Sequence, residues 1–277
     1  MADCELVFLG TGGGRFAMIT QARRTGGIRL SGFVEAQLDP GPGALVYSNM
    51  AGLNPSSVSL LLVSHCHLDH YSDAEVFVEA MTRGMTRRRG TLIAPRSVLR
   101  GHEGSWPCLS SYHLGMPKQI LEAKPGDSFE VDGIRVAATR AKHTDPHTIG
   151  FRFEFPFGTL AYTSDTEYFE GMEADYKGSR VLIICVLRPR GKPWPGHMDS
   201  EGALRLVRGV GPELAILTDF GMKMLEAGPE KEAKWIEEES GVRTLAAQDG
   251  MRLRIGDRGV ELSGRALDGF LRGIRSG

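Results

Sequence analysis

The chain has 277 residues, with 33 Lys and Arg against 34 Asp and Glu and a formal net charge of −1, and it is long enough to bury a sizeable core. With 41% hydrophobic, 24% charged and only 8% aromatic residues, it is not a disordered chain. Nor is it coated in positive charge for nucleic acid, and it has too few rings for a repeated base-stacking surface. The longest apolar run, 181–187, falls far short of the roughly 20 residues that a membrane span needs. The acidic start has no basic stretch ahead of it and reads as a first strand rather than a signal peptide. Cys4, Cys66, Cys108 and Cys185 form no C-x-x-C pair, which predicts a reduced, cytoplasmic protein with no membrane partner.

Apolar spacing and turn residues predict strands over 6–9, 28–30 and 34–38, the first closing on a glycine-rich turn at 10–14. A helix is expected over 44–53. The apolar strand over 58–63 runs directly into a cluster of His65, Cys66, His67, Asp69 and His70. Ser72 with Glu75 three residues on reads as a capping box that opens a helix through Val76, Phe77, Val78 and Met81. A strand at 92–94 and a helix at 95–100 follow, whereas 101–117 has no clean period and reads as a loop or insertion. Strands return at 119–123, 128–131, 134–139, 148–155 and 159–163, with turns at Asp132-Gly133 and Phe157-Gly158. Another apolar strand covers 181–187. A helix over 200–210 leads to a strand over 214–218, and a helix over 229–240 opens on Pro229. Strands over 242–247, 252–255 and 260–262 precede a last helix over 265–274. No linker, charge block or repeat divides the chain, so the order of elements predicts a layered α/β arrangement in a single domain, 1–277.

The sharpest signal is His65-x-His67-x-Asp69-His70, where three of the eight histidines fall within six residues. In an extended segment side chains two apart point the same way, so His65 and His67 can grip one metal ion. Asp69 and His70, where the chain turns, can face a second. Imidazole with carboxylate suits zinc, manganese or iron.

This run resembles the signature of the metallo-β-lactamase-fold hydrolases, and the resemblance extends along most of the chain. It implies an α/β fold, the αββα four-layer sandwich of that type. The early glycine turn resembles residues 10–14, and the strand-end aspartate resembles Asp39. The third ligand histidine resembles His143, which ends a strand, rather than His147, which is expected to be structural. The bridging aspartate resembles Asp165. The segment from Gly196 through His197 to Ala203, then a helix and a strand ending at Asp219, is similar to the phosphodiesterase branch. That branch includes tRNA 3′-end endonucleases and cyclic phosphodiesterases. In it a histidine at the place of His197 assists phosphate chemistry, and a histidine supplies the last metal ligand. Here Asp219 stands in its place, which moves the preference toward harder ions such as manganese.

The resemblance thus implies two divalent ions, zinc first, with manganese or iron as alternatives. His65, His67 and His143 would hold one, Asp69, His70 and Asp219 the other, with Asp165 between them. A hydroxide on the ions would attack phosphorus, with His197 and Asp69 as the catalytic residues. His143 and Asp165 are only 22 positions apart, too few for the tRNA-gripping arm of the tRNA enzymes. The expected substrate is therefore a small or cyclic phosphodiester rather than a large nucleic acid. The alternatives on the same centre are a thioester, lactone or β-lactam hydrolase, or a non-catalytic metal-binding sensor. A homo-oligomer is left open.

Weaker features are assigned more plainly. Arg83, Arg87, Arg88, Arg89, Arg96 and Arg100 read as a solvated basic face, and Arg15 as a candidate anion contact. Cys66 reads as a small buried hydrophobe facing away from the two histidines. His102, Trp106, Tyr112 and His113 are candidates to line a cleft. The stiff, basic loop at 188–196, with Trp194, is the favoured element for substrate recognition.

Overall fold

The structure, a computed structural model, describes residues 3–263; the helix expected over 265–274 lies outside the described residues. Fifteen strands are present among them: β1 (Cys4–Phe8), β2 (Ile28–Gly32), β3 (Ala36–Leu38), β4 (Leu60–Leu62), β5 (Thr91–Ala94), β6 (Gln119–Glu122), β7 (Ser128–Val131), β8 (Ile134–Arg140), β9 (Ile149–Phe155), β10 (Gly158–Tyr162), β11 (Ser179–Cys185), β12 (Leu214–Thr218), β13 (Thr244–Ala246), β14 (Arg252–Gly256) and β15 (Gly259–Leu262). One sheet has the order β15-β14-β1-β2-β3-β4-β5-β6 and the other β13-β12-β11-β10-β9-β8-β7.

Period-two alternation builds the layers. In β1, Leu6 and Phe8 point into the core between the sheets, and Val7 points outward beneath the helices Ala44–Met50 and Ala74–Met81. In β11, Val181 and Ile183 face the shared core while Leu182 and Ile184 face the helices Ser200–Val210 and Pro229–Ser240. Each central parallel strand is thus buried on both faces, which is why β4 reads as three consecutive leucines. The result is helix, sheet, sheet, helix, as the resemblance implied. No helix of the described residues is long and apolar enough to cross a membrane.

Several expectations need correction. Ser72 and Glu75 form no capping box: the helix Ala74–Met81 is N-capped at Asp73 with no side-chain cap. Ser72 closes a preceding turn of helix, Leu68–Tyr71, and its hydroxyl donates to the Leu68 carbonyl. Glu75 instead accepts from the Ser110 backbone N–H at 2.6 Å. The 101–117 stretch carries a short helix, Ser111–Leu114, capped by Ser110. Helices Gly14–Thr20, Glu173–Tyr176 and Met222–Ala227 are additions to the predicted elements.

Strand direction positions the site. β3 to β6 run parallel, as do β10 to β13, while β8 and β10 are both antiparallel to β9. Hence the chain leaving β1, β3, β4, β8, β10, β11 and β12 emerges at one rim. Loops outside the carboxyl ends of strands are where open α/β sheets place ligands.

Candidate metal centre

Asp39 follows β3, His65 follows β4, His143 follows β8, Asp165 follows β10 and Asp219 follows β12. At this rim the potential ligand atoms of His65, His67, His143 and Asp165 all lie within 4.8 Å of one another, and so do those of Asp69, His70 and Asp219. Asp165 stands between the two groups. Its Oδ2 is 3.9 Å from His65 Nε2 and 3.7 Å from His143 Nε2, while its Oδ1 is 3.7 Å from His70 Nε2. His143 Nε2 is 3.0 Å from His67 Nδ1, and His70 Nε2 is 3.8 Å from both Asp69 and Asp219. Ligand atoms about 2.0–2.2 Å from one ion sit roughly 3.0–3.6 Å apart, close to these separations.

The surrounding residues aim those atoms. Asp39 accepts from Ser64 N at 2.7 Å and from the Ser64 hydroxyl at 2.6 Å. It also accepts from Tyr162 at 2.8 Å and from His70 Nδ1 at 3.0 Å. Asp39 therefore fixes the His70 tautomer and turns Nε2 toward the cluster, the usual role of a carboxylate behind a ligand histidine. His143 Nδ1 is held the same way by the Gly196 carbonyl, 2.7 Å away, and His65 Nδ1 lies 3.0 Å from the Ser64 hydroxyl. Asp69 accepts from Gly14 N at 2.7 Å, so the glycine-rich turn buttresses the second group. Three non-glycine residues at this rim, Asp39, Ser164 and Asp219, take left-handed backbone with φ of 45°, 57° and 62°. Two of them are aspartates, which tolerate that region better than most residues.

The electrostatics fit cations. His65 Nε2, His70 Nε2, Asp165 Oδ1 and Asp219 Oδ2 are buried without a hydrogen-bond partner, and such orphaned atoms within the two groups are what bound cations would satisfy. Burial, reinforced by His70, pushes the His65 imidazole well below its ordinary value. Burial and then the Asp165 charge push the Asp219 carboxyl well up. Burial would raise Asp165 as well, but His70, His197 and His143 outweigh it and hold that carboxyl well below its ordinary range. Burial opposes charge on His70 too, yet Asp165, Asp69 and Asp39 together raise it well above normal. Bound cations would relieve the competition for protons in such a crowd of buried carboxylates and imidazoles.

All seven expected ligands converge here, and His197 joins them, its Nδ1 3.4 Å from Asp165 Oδ2. Next to it a cleft of about 420 Å³ opens between Tyr168, Trp194, Pro195, His197, Glu201 and Arg205, so the 188–196 loop does border the site. Arg188 lies 4.8 Å over the Trp194 ring. The remaining candidates lie elsewhere, some as expected. His147 stays out of the cluster, and its backbone N–H donates to Asp145 at 2.8 Å. His113 is paired with Glu75 and Glu79, Trp106 is 89% exposed, and Arg15 is exposed. Arg83, Arg87, Arg88, Arg96 and Arg100 are exposed, as a solvated face requires.

Two cysteines differ from what the sequence suggested. Cys66 does face away from His65 and His67, but it is only half-buried and lies beside His102, Cys108 and Asp145 rather than in purely apolar surroundings. Cys185, which the sequence reading passed over, has its thiol within 4.8 Å of oxygens of Asp165 and Asp219, and burial keeps it protonated. Ser64, Ser164 and Tyr162 were also missed. Ser64 and Ser164 were signalled only by adjacency to His65 and Asp165, and Tyr162 by nothing in the sequence.

These features define a metallohydrolase-type rim on an αββα sandwich. Residues 37–220 match the model of the beta-lactamase superfamily domain, and the chain belongs to that family. It is 38% identical over 254 residues to the uncharacterized protein MJ1374 of Methanocaldococcus jannaschii, covering 91% of this chain and 95% of that one. It is 24% identical over 258 residues to a ribonuclease Z of Mycobacterium sp. (strain KMS), covering 83% of this chain and 88% of the relative. Among solved structures, the metallo-beta-lactamase fold protein YhfI of Bacillus subtilis superposes with a TM-score of 0.75 at 15% identity, over 91% of this chain and 99% of that chain. Membership of this family makes the protein a metal-dependent hydrolase.

Proposed function

We propose that the protein is a phosphodiesterase that acts on a small or cyclic phosphodiester and uses two divalent cations. His65, His67, His143 and Asp165 would hold one ion, and Asp69, His70 and Asp219, with the other oxygen of Asp165, the second. Zinc suits the imidazole-rich group, and manganese or iron the carboxylate-rich one. When bound, the pair of ions supplies Lewis acidity and a water of lowered pKa beside the scissile bond.

The observation that carries the phosphodiester reading is His197, a ring outside both ligand groups but 3.4 Å from the carboxylate between them. Burial holds this imidazole below its ordinary value even with Asp165 opposing. A ring at this place would serve as hydrogen-bond donor to an oxygen that gains charge as the phosphodiester opens. The residue before His197 is held through both its backbone groups: Gly196 donates to Glu167 at 2.7 Å and accepts from His143 at 2.7 Å. Three things support a small substrate. The interval between His143 and Asp165 contains only the β9–β10 hairpin and its flanks, the net charge is near neutral, and the adjoining cleft is about 420 Å³. The ribonuclease Z relatives support phosphodiester chemistry in general.

A substrate panel tests the reading. Metal-loaded protein is expected to turn over bis(p-nitrophenyl) phosphate and cyclic phosphodiesters while leaving thioesters and lactones intact. His197→Ala is expected to lower that turnover by about 10²-fold or more at unchanged metal content. Thioester or lactone turnover with inert phosphodiesters would reverse the assignment.

A further inference from the structure

The HxHxDH segment has a second side. Cys66 points away from the His65 and His67 rings, and its Sγ lies 3.8 Å from His102 Nε2. Asp145, two residues beyond His143, accepts from the Cys66 backbone N–H at 3.0 Å. The Sγ of Cys66, a ring nitrogen of His102 and a carboxylate oxygen of Asp145 all lie within 4.8 Å of one another. Cys108 neighbours Cys66 from the adjacent chain segment. The Asp145 carboxylate is 2% exposed. Among the described residues it takes part in no salt bridge and is held by the backbone N–H groups of Cys66 and His147. A buried carboxylate beside a thiol and an imidazole, with no cationic side chain to balance it, is favourable only if a cation or those N–H groups offset its charge.

We propose that Cys66, His102 and Asp145 form a separate site for a zinc-class divalent cation. This inference goes beyond the proposed phosphodiesterase and does not depend on it. A thiolate, an imidazole and a carboxylate are the three side-chain types that zinc takes, with Zn–S of about 2.3 Å and Zn–N of about 2.0 Å. At those lengths a tetrahedral ion sets sulfur and nitrogen about 3.5 Å apart, so the observed 3.8 Å needs only a small contraction. Binding breaks the Cys66 S–H bond, releases its proton to solvent and forms a metal–sulfur bond, with no change of oxidation state. The three ligands come from the HxHxDH segment, from 101–117 and from the turn after His143. The ion would therefore clamp the otherwise irregular 101–117 segment onto the backbone that carries His65, His67 and His143.

The soft ligand gives a readout that the main centre lacks. The seven proposed ligands of the main centre are imidazoles and carboxylates, so cobalt bound only there shows no thiolate-to-metal charge transfer. Reduced, chelator-treated full-length protein is titrated with Co²⁺ and followed in the near ultraviolet. A thiolate charge-transfer band is expected, lost in Cys66→Ser and in His102→Ala and kept in Cys185→Ser, with one fewer equivalent of metal in the first two. His102 lies on a half-exposed loop position, and its variant, checked by circular dichroism, serves if Cys66→Ser does not fold. Absence of the band, its persistence in both Cys66→Ser and His102→Ala, or its loss in Cys185→Ser would overturn the proposal.

Discussion

Asp165→Ala is expected to lower phosphodiester turnover by at least about 10²-fold, more than the loss of a residue that merely supports a ligand. Asp165 turns its two oxygens to different groups, Oδ2 toward His65 and His143 and Oδ1 toward His70. Removing it opens both groups at once. It also takes away the charge that most strongly offsets burial of the His70 imidazole. Initial rates with bis(p-nitrophenyl) phosphate, alongside metal per chain by mass spectrometry, check this; turnover and metal content close to wild type would contradict it.

Gly13→Ala should be the most damaging small change outside the ligands themselves. A Cβ at Gly13 would stand 2.0 Å from Asp219 Oδ1 and 2.1 Å from its Cγ, so the methyl and the carboxylate cannot both keep their places. Gly13 has extended backbone, φ −140°; the objection is steric alone. Asp219 has little room to swing, because its side chain is buried among His70, Asp165 and Cys185. Overpacking of this kind costs about 1–3 kcal/mol, a drop in Tm of roughly 2–10 °C for a chain of this size. Displacement of a ligand carboxylate should weaken the second ion by at least about 10–100-fold. Calorimetry of metal-free protein reads the first effect and a Mn²⁺ titration the second. The Tm loss should largely vanish when Gly13→Ala is made in an Asp219→Ala background, since the clashing group is then gone. An undiminished Tm loss there would locate the strain elsewhere.

Much of this centre was legible because its chemistry is local. His65, His67, Asp69 and His70 lie within one turn of chain, and the strand before them is apolar on every position because parallel strands are buried on both faces. The more distant members, His143, Asp165 and Asp219, could be placed only through resemblance. Nothing in a single strand end says which other strand ends share its rim. The elements that escaped depend on tertiary contacts. The helix Gly14–Thr20 buries only Ala17 and leaves Phe16 and Ile19 more than 70% exposed, so it has no apolar stripe to read. The capping box at Ser72 and Glu75 matched a local pattern, yet Glu75 found a better partner in the Ser110 N–H, 35 residues away. Cys66 was placed on the correct side of its strand end by simple alternation. Its polar neighbours could not be foreseen, because His102 and Cys108 arrive from the one stretch that had no periodicity.

The central claim is that the His and Asp cage holds the cations on which hydrolysis depends. It is tested most directly by stripping the protein with a chelator and following bis(p-nitrophenyl) phosphate turnover as Mn²⁺ or Zn²⁺ is returned, in the Cys66→Ser background so that only the main centre is filled. The cage predicts turnover that is abolished by stripping and restored to a plateau at two equivalents per chain, with no restoration in Asp165→Ala. Turnover that survives stripping, or that returns equally well in Asp165→Ala, would contradict it.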